Sequence, residues 1–127
     1  MKKLSAMMVL LMCLSGCVSD EHEAAYTQIT QEEVKRIMEE ESGYLIIDVR
    51  TEEEFQEGHL PGAVNIPNET IGDSRPSILT DTKQKLLIYC RSGNRSRQAA
   101  QKLADMGYRN VYEFGGISTW DGEISTE

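Results

Sequence analysis

The sequence contains few of the residues from which metal sites, disulfide frameworks and cofactor sites are built. Its 127 residues include three cysteines, two histidines and one tryptophan. The cysteines and histidines show neither Cys-x-x-Cys nor His-Glu-x-x-His spacing, and the glycines form no nucleotide-binding motif. We therefore expect a protein that uses neither a metal ion nor an organic cofactor.

The sequence also lacks an apolar run of the roughly 20 residues that a membrane-spanning helix needs. Its longest apolar run follows Lys2 and Lys3 and ends at Leu14, which is the anatomy of an export signal. The segment from Leu14 to Cys17 (LSGC) resembles the bacterial lipobox. That resemblance implies cleavage before Cys17 and acylation of its thiol and its new amino group. An ordinary secretory signal and an uncleaved anchor are the alternatives.

This interpretation divides the chain into three parts. Residues 1–16 are predicted to be a lipoprotein signal peptide, residues 17–27 a lipidated tether and residues 28–127 the folded domain. The tether is polar and acidic and shows no apolar periodicity. The product would be an exported bacterial lipoprotein tethered to the extracytoplasmic face of a membrane, either periplasmic or at the cell surface.

Only one cysteine is then left without an assigned role. Cys13 would leave with the signal and Cys17 would carry lipid, so Cys90 would have no partner for an internal disulfide. Cysteines of exported proteins are generally paired, and a single leftover thiol is therefore unusual. Cys90 is either a buried, inert side chain or a reactive thiol.

Basic residues are scarce compared with acidic ones. The chain has 13 lysines and arginines against 21 aspartates and glutamates. Loss of Lys2 and Lys3 would leave 11 against 21, a net charge near −10. Such a surface argues against nucleic acid as a partner, because binding to phosphate backbones depends on positive charge. Against this background, the clustering of Arg91, Arg95 and Arg97 around Cys90 is informative.

Apolar periodicity predicts strands that alternate with helices along the domain. This alternation indicates an α/β fold with an open, mostly parallel sheet and helices on both faces. Functional sites in such sheets lie at the carboxyl ends of the strands, where Cys90 falls. Thr30 and Glu33 have the spacing of a capping box. We expect helices at 31–41, 52–57 and 96–106 and strands at 44–49, 63–66, 86–89 and 111–114.

The loop that follows Cys90 is suited to binding an anion. Gly93 and Asn94 tolerate left-handed conformations, and Ser96 is expected to cap the next helix. A compact turn at a helix start points backbone N–H groups inward, and such a turn stabilises a thiolate. We therefore predict a lowered pKa for Cys90. The predicted site consists of Cys90, Arg91, Ser92, Gly93, Asn94, Arg95 and Ser96.

Several ordered motifs resemble those of single-domain rhodaneses. They are DVR at 48–50, GHLPGAVNIP at 58–67, CRSGNRS at 90–96 and GG at 115–116 with Trp120. The resemblance implies a thiosulfate-type sulfurtransferase in which Cys90 carries sulfane sulfur as a persulfide and a thiol or cyanide removes it. It also implies that residues 91–95 supply the backbone cradle and that Arg91 and Arg95 meet the sulfonate end of the donor. A small sulfur-containing anion and a thiol acceptor are thus the expected partners, besides the membrane.

Two other functions deserve comparison with sulfur transfer. Related phosphatases use a cysteine loop that is one residue longer, and Arg95 follows Cys90 after four residues instead of five. A tetrahedral phosphate would fit the shorter loop poorly. The second alternative is an exported binding or redox-sensing module with little turnover, for which an intact loop with both arginines is not required.

Three polar residues outside the loop are candidates for supporting roles. Asp48 and Arg50 lie at the end of a predicted strand and either orient the loop or form a structural salt bridge, with Glu54 as a further partner. His59 is either a general base or a hydrogen-bonded residue of the turn before Leu60. A thiolate with a lowered pKa needs no general base, which favours the structural role.

Overall fold

The computed structural model describes residues 25–127. The predicted signal peptide, the predicted lipidation site Cys17 and most of the predicted tether lie outside the described residues. Within residues 25–127, no helix is long and apolar enough to cross a membrane.

One sheet forms the centre of the domain. All of its neighbouring strands are parallel, so the prediction of an open parallel sheet is confirmed. The strands are β1 (Thr27–Gln28), β2 (Leu45–Asp48), β3 (Val64–Asn65), β4 (Lys85–Cys90) and β5 (Asn110–Gly116). Their order in the sheet is β1-β5-β4-β2-β3. β1 straddles the predicted boundary between tether and domain.

Three helices flank the sheet, namely α1 (Gln31–Glu40), α2 (Glu52–Glu57) and α3 (Asn94–Asp105). The central strands are apolar on both faces, as expected for strands that helices cover on both sides. One face packs Val34 and Ile37 of α1 against Leu87 and Phe114 of the sheet. The other face packs α3 against a second apolar cluster that includes Ile47, Ile88 and Cys90.

α3 begins two residues earlier than its sequence pattern predicts. The expected cap at Ser96 is wrong, because Gly93 occupies the cap position and Ser96 lies within the first helical turn. Gly93 has a φ of +110°, which only glycine adopts without strain, and the chain therefore turns into the helix at this point. The shift buries Ser96 against the sheet instead of leaving it at the helix end.

The capping box also lies elsewhere than predicted. Thr30 accepts a hydrogen bond from the Glu33 N–H, but the Glu33 carboxylate binds Arg36 instead of returning to the cap. The complete capping box is at α2, where Thr51 and Glu54 satisfy each other's backbone N–H groups. α2 is thereby fixed next to the carboxyl end of β2, beside the loop that follows Cys90.

Candidate active site

Cys90 lies at the carboxyl end of the central strand β4, immediately before the loop that leads into α3. Only 1% of the residue is exposed. The Gly93 N–H donates to the Cys90 Sγ over 3.0 Å, and the N–H groups of Ser92 and Ser96 also point to the sulfur. Backbone N–H groups of Ser92, Gly93 and Ser96 therefore surround Sγ, and Gly93 supplies the turn that aims them inward.

The cradle changes the ionisation of the thiol. Burial raises the pKa of Cys90, but the Ser96 hydroxyl and the backbone N–H groups of Ser96, Gly93 and Ser92 more than offset burial. The pKa of Cys90 is consequently below its ordinary value. A buried thiol in purely apolar surroundings would show the opposite shift, which separates Cys90 from an inert core cysteine.

The end of β5 supports the loop from behind. Cys90 pairs with Gly116 after a register irregularity between β4 and β5. A Cβ atom at Gly116 would lie 1.9 Å from the Arg91 carbonyl oxygen and 2.5 Å from the Ser92 nitrogen. The Ser118 N–H donates a hydrogen bond to the same Arg91 carbonyl oxygen over 3.0 Å, so this carbonyl group faces away from the Cys90 sulfur. The Gly115-Gly116 pair thus lets the loop approach the sheet closely.

The arginines near the loop differ in their surroundings. Arg95 forms a two-point ion pair with Glu54, with Nη1–Oε1 and Nη2–Oε2 distances of 2.7 and 3.0 Å. Arg91 is exposed at the loop entrance, as are Ser92 and Asn94. Arg97 is also exposed, and a Cβ atom added at Gly93 would lie 3.0 Å from the Arg97 Nη1. The Arg95 guanidinium is therefore already bound to Glu54, although the family resemblance implies that it meets the sulfonate end of the sulfur donor.

The predicted supporting residues Asp48 and Arg50 form a closed polar cluster beneath α1. The backbone N–H, Nε and Nη2 of Arg50 all donate to the Asp48 carboxylate, and Nη2 also donates to the Gly58 carbonyl. Tyr89 donates its hydroxyl to Asp48 over 2.6 Å and accepts the Leu60 N–H. Arg50 is thus paired with Asp48 and not with Glu54. The cluster holds the residue before Cys90 in place without contacting the sulfur.

His59 lies in the turn after α2. Its ring stacks on Phe55, with the centroids 3.8 Å apart. The ring nitrogens Nδ1 and Nε2 contact the carbonyl oxygens of Phe55 and Glu127, each at 2.8 Å. These contacts are those of a hydrogen-bonded turn residue.

Sequence reasoning overlooked Glu113 on β5. This carboxylate is 2% exposed, and its Oε2 accepts the Ser96 hydroxyl and the Gly115 N–H, each over 2.7 Å. The Ser96 Oγ in turn lies 3.4 Å from the Cys90 Sγ. The only available signal was a glutamate within the otherwise apolar stretch from Val111 to Phe114, two residues before the Gly-Gly pair.

Comparison with known proteins identifies the class. The family model for the rhodanese-like domain matches residues 30–123. Thiosulfate sulfurtransferase PspE of Escherichia coli is 37% identical over 71 residues, which is 56% of this chain and 68% of that protein. The crystal structure of a rhodanese-like domain protein from Staphylococcus aureus superposes with a TM-score of 0.69 at 31% identity. The superposition covers 80% of this chain and 98% of that one.

The chain belongs to the rhodanese family. It also matches the adenylyltransferase and sulfurtransferase UBA4 of Meyerozyma guilliermondii, with 37% identity over 90 residues. That match covers 65% of this chain but only 21% of the much longer relative. Sulfur transfer is the activity that the names of PspE and UBA4 have in common.

Proposed function

We propose that the protein is a sulfurtransferase that carries sulfane sulfur on Cys90. The observation that carries this proposal is the buried Cys90 sulfur at the centre of a ring of inward-pointing N–H groups, which lowers its pKa. A thiolate in such a cradle is a nucleophile at neutral pH. The relationship to PspE, a named thiosulfate sulfurtransferase, supports the same chemistry.

The reaction proceeds in two displacements. The Cys90 thiolate attacks the outer sulfur of thiosulfate, the sulfur–sulfur bond of the donor breaks, and sulfite leaves with the electron pair. The resulting persulfide carries one negative charge on its terminal sulfur, which the N–H groups of the cradle can hold. A thiolate or cyanide then attacks that sulfur, and the Cys90 thiolate is the leaving group.

Recognition of the donor falls to the cations at the loop entrance. Arg91 and Arg97 are exposed there, whereas Glu54 already binds Arg95. We therefore assign binding of the donor's sulfonate group to Arg91. Arg95 takes part only when it releases Glu54 and binds the donor instead. Guanidinium groups suit this role because they bind oxyanions through two parallel hydrogen bonds.

The test is the Cys90→Ser variant assayed for transfer of sulfur from thiosulfate to cyanide. Transfer should fall to the uncatalysed rate, because serine cannot form the persulfide. The Cys17→Ser variant, which removes a thiol outside the cradle, should retain transfer. Transfer that survives Cys90→Ser in the folded protein would refute the mechanism, and a wild-type protein without transfer would favour a binding or redox-sensing module.

We further propose that Cys17 tethers the domain to the extracytoplasmic face of a membrane. The proposal rests on the LSGC segment and on the charged, then apolar, residues before it. Lipid chains would hold the protein through burial of methylene groups, at about 0.8 kcal/mol for each group. Incorporation of labelled fatty acid into the expressed protein should depend on Cys17, and equal labelling of Cys17→Ser would refute the anchor.

A further inference from the structure

Ser96 and Glu113 connect the Cys90 sulfur to a buried negative charge. Ser96 is fully buried, and Glu113 and Cys90 are 2% and 1% exposed. The Ser96 Oγ lies 3.4 Å from the Cys90 Sγ and 2.7 Å from the Glu113 Oε2. A single hydroxyl group therefore stands between the thiol and the carboxylate.

The Ser96 hydroxyl has one hydrogen and several acceptors within reach. The Glu113 carboxylate is the closest acceptor and is charged, while the carbonyl oxygens of Gly93 and Gly115 lie at 3.0 and 3.3 Å. Charge-assisted hydrogen bonds are shorter and stronger than neutral ones, so the hydrogen is directed to Glu113. The Cys90 thiol then donates to the Ser96 oxygen, as its geometry indicates.

Ionisation of Cys90 reverses this preference. A thiolate has no hydrogen to donate, and a Ser96 lone pair would face its negative charge. Ser96 relieves the conflict only by turning its hydrogen to the sulfur, which takes that hydrogen from Glu113. The hydroxyl therefore lowers the pKa of Cys90 only to the extent that Glu113 releases it.

Arg91 and Arg97 are exposed near the loop, and the other charges near this pair are matched. Arg95 on α3 is paired with Glu54 of α2, and Asp48 on β2 is paired with Arg50 on the opposite face of the sheet. Glu113 itself accepts from the Gln28 side chain on β1 and forms no ion pair with any lysine, arginine or histidine within residues 25–127. No ion pair among the described residues thus weakens the hold of Glu113 on Ser96.

We propose that Glu113 is a positioning residue for Cys90, whose carboxylate competes with the Cys90 thiolate for the single Ser96 hydrogen and so sets how much of Cys90 is ionised. This inference rests on the proposed function, because it concerns the group that would attack the sulfur donor. It assigns Glu113 a role in tuning the nucleophile, beyond its hydrogen bonds to Gly115 and Gln28.

The test is the pH dependence of iodoacetamide alkylation at Cys90. The full-length chain is alkylated over a range of pH, and the peptide that contains Cys90 is quantified by mass spectrometry. Glu113→Gln keeps the shape and an acceptor for the Gly115 N–H, but its neutral amide competes less for the Ser96 hydrogen. We expect the alkylation midpoint to fall by about one pH unit, a tenfold rise in thiolate below the midpoint.

A double-mutant cycle with Ser96→Ala shows whether Ser96 transmits the effect. Ser96→Ala alone should raise the midpoint, because the thiolate loses its side-chain donor. In the Ser96→Ala background, Glu113→Gln should shift the midpoint by less than half as much as in the wild type. Glu69→Gln removes a nearby exposed charge that does not contact Ser96, and its shift should be several times smaller.

Two results would overturn the inference. A midpoint that is unchanged or raised in folded Glu113→Gln would show that the residue only supports the cradle. An equal shift with and without Ser96 would show that the charge acts through space. The proposed function is tested separately in the same samples by sulfur uptake from thiosulfate: a wild type that takes up none, with midpoints that shift as expected, refutes that function alone.

Discussion

Two buried carboxylates lie near the carboxyl ends of β2 and β5, two strands that β4 separates, and they lie on opposite faces of the sheet with different partners. Asp48 is closed off by Arg50 and Tyr89, so its charge is matched within the cluster. Glu113 has only neutral donors among the described residues, and one of them is a hydroxyl shared with Cys90. The comparison indicates that the first carboxylate maintains the fold, whereas the second acts on the nucleophile.

The largest expected effect comes from breaking the closed cluster. Asp48→Ala leaves Arg50 buried without its counter-ion, and loss of one partner of a buried ion pair costs about 3–5 kcal/mol of the free energy of unfolding. Urea denaturation measures this loss. Glu41→Ala, which breaks the partly exposed pairs with Lys85 and Arg36, is the control and should cost less than about 1 kcal/mol. Equal costs for both variants would show that the Asp48 cluster does not stabilise the fold.

A smaller effect is expected from Gly116→Ala, which pushes β5 away from the loop. The added methyl group would collide with the backbone of Arg91 and Ser92, and overpacking of this kind costs about 1–3 kcal/mol. The rate of Cys90 alkylation at neutral pH should fall as well, because the backbone N–H groups of the loop no longer point to the sulfur. Gly72→Ala meets nothing within 4 Å and should change neither quantity. An unchanged alkylation rate in Gly116→Ala would show that β5 does not hold the loop in position around Cys90.

The smallest effect concerns the half-buried pair of Glu54 and Arg95. Arg95 lowers the pKa of Glu54 to about 2, from an ordinary value of 4.5. The pair therefore stabilises the protein above about pH 4.5, and this stabilisation is lost as the pH falls toward 2. Glu54→Gln should cost about 0.5–1 kcal/mol at pH 7 and progressively less below pH 4.5.

Urea denaturation at pH 7 and pH 3 measures the difference between wild type and Glu54→Gln. Glu57→Gln changes an exposed glutamate of the same helix and should be nearly neutral at both pH values. A Glu54→Gln difference that does not shrink at the lower pH would show that the ion pair contributes nothing.

Local patterns in the sequence were sufficient for the order of the helices and of strands β2 to β5 and for the contiguous loop from Cys90 to Ser96, but they did not predict the two-residue strand β1. The start of α3 was misplaced, because a serine before a helical pattern predicts a cap, whereas the left-handed turn at Gly93 decides where the helix begins. The Arg95–Glu54 pair joins residues 41 positions apart, and no local pattern reports such a contact.

Glu113 could not be assigned for a related reason. A glutamate within an apolar stretch does not by itself report what it contacts, and the burial of Glu113 depends on how β5 meets the first turn of α3. The partners of Asp48 were partly predictable because Arg50 is only two residues away. The side-chain partners of Glu113 lie 85 and 17 residues away, and only its backbone partner Gly115 is near in the sequence.

The most direct test of the central claim is intact-protein mass spectrometry of the full-length chain with Cys13→Ser and Cys17→Ser, so that Cys90 is the only thiol. Incubation with thiosulfate should add one sulfur atom, and cyanide should remove it. The same chain with Cys90→Ser should take up none. A folded protein that gains no sulfur, although Cys90 is still readily alkylated, would contradict the account.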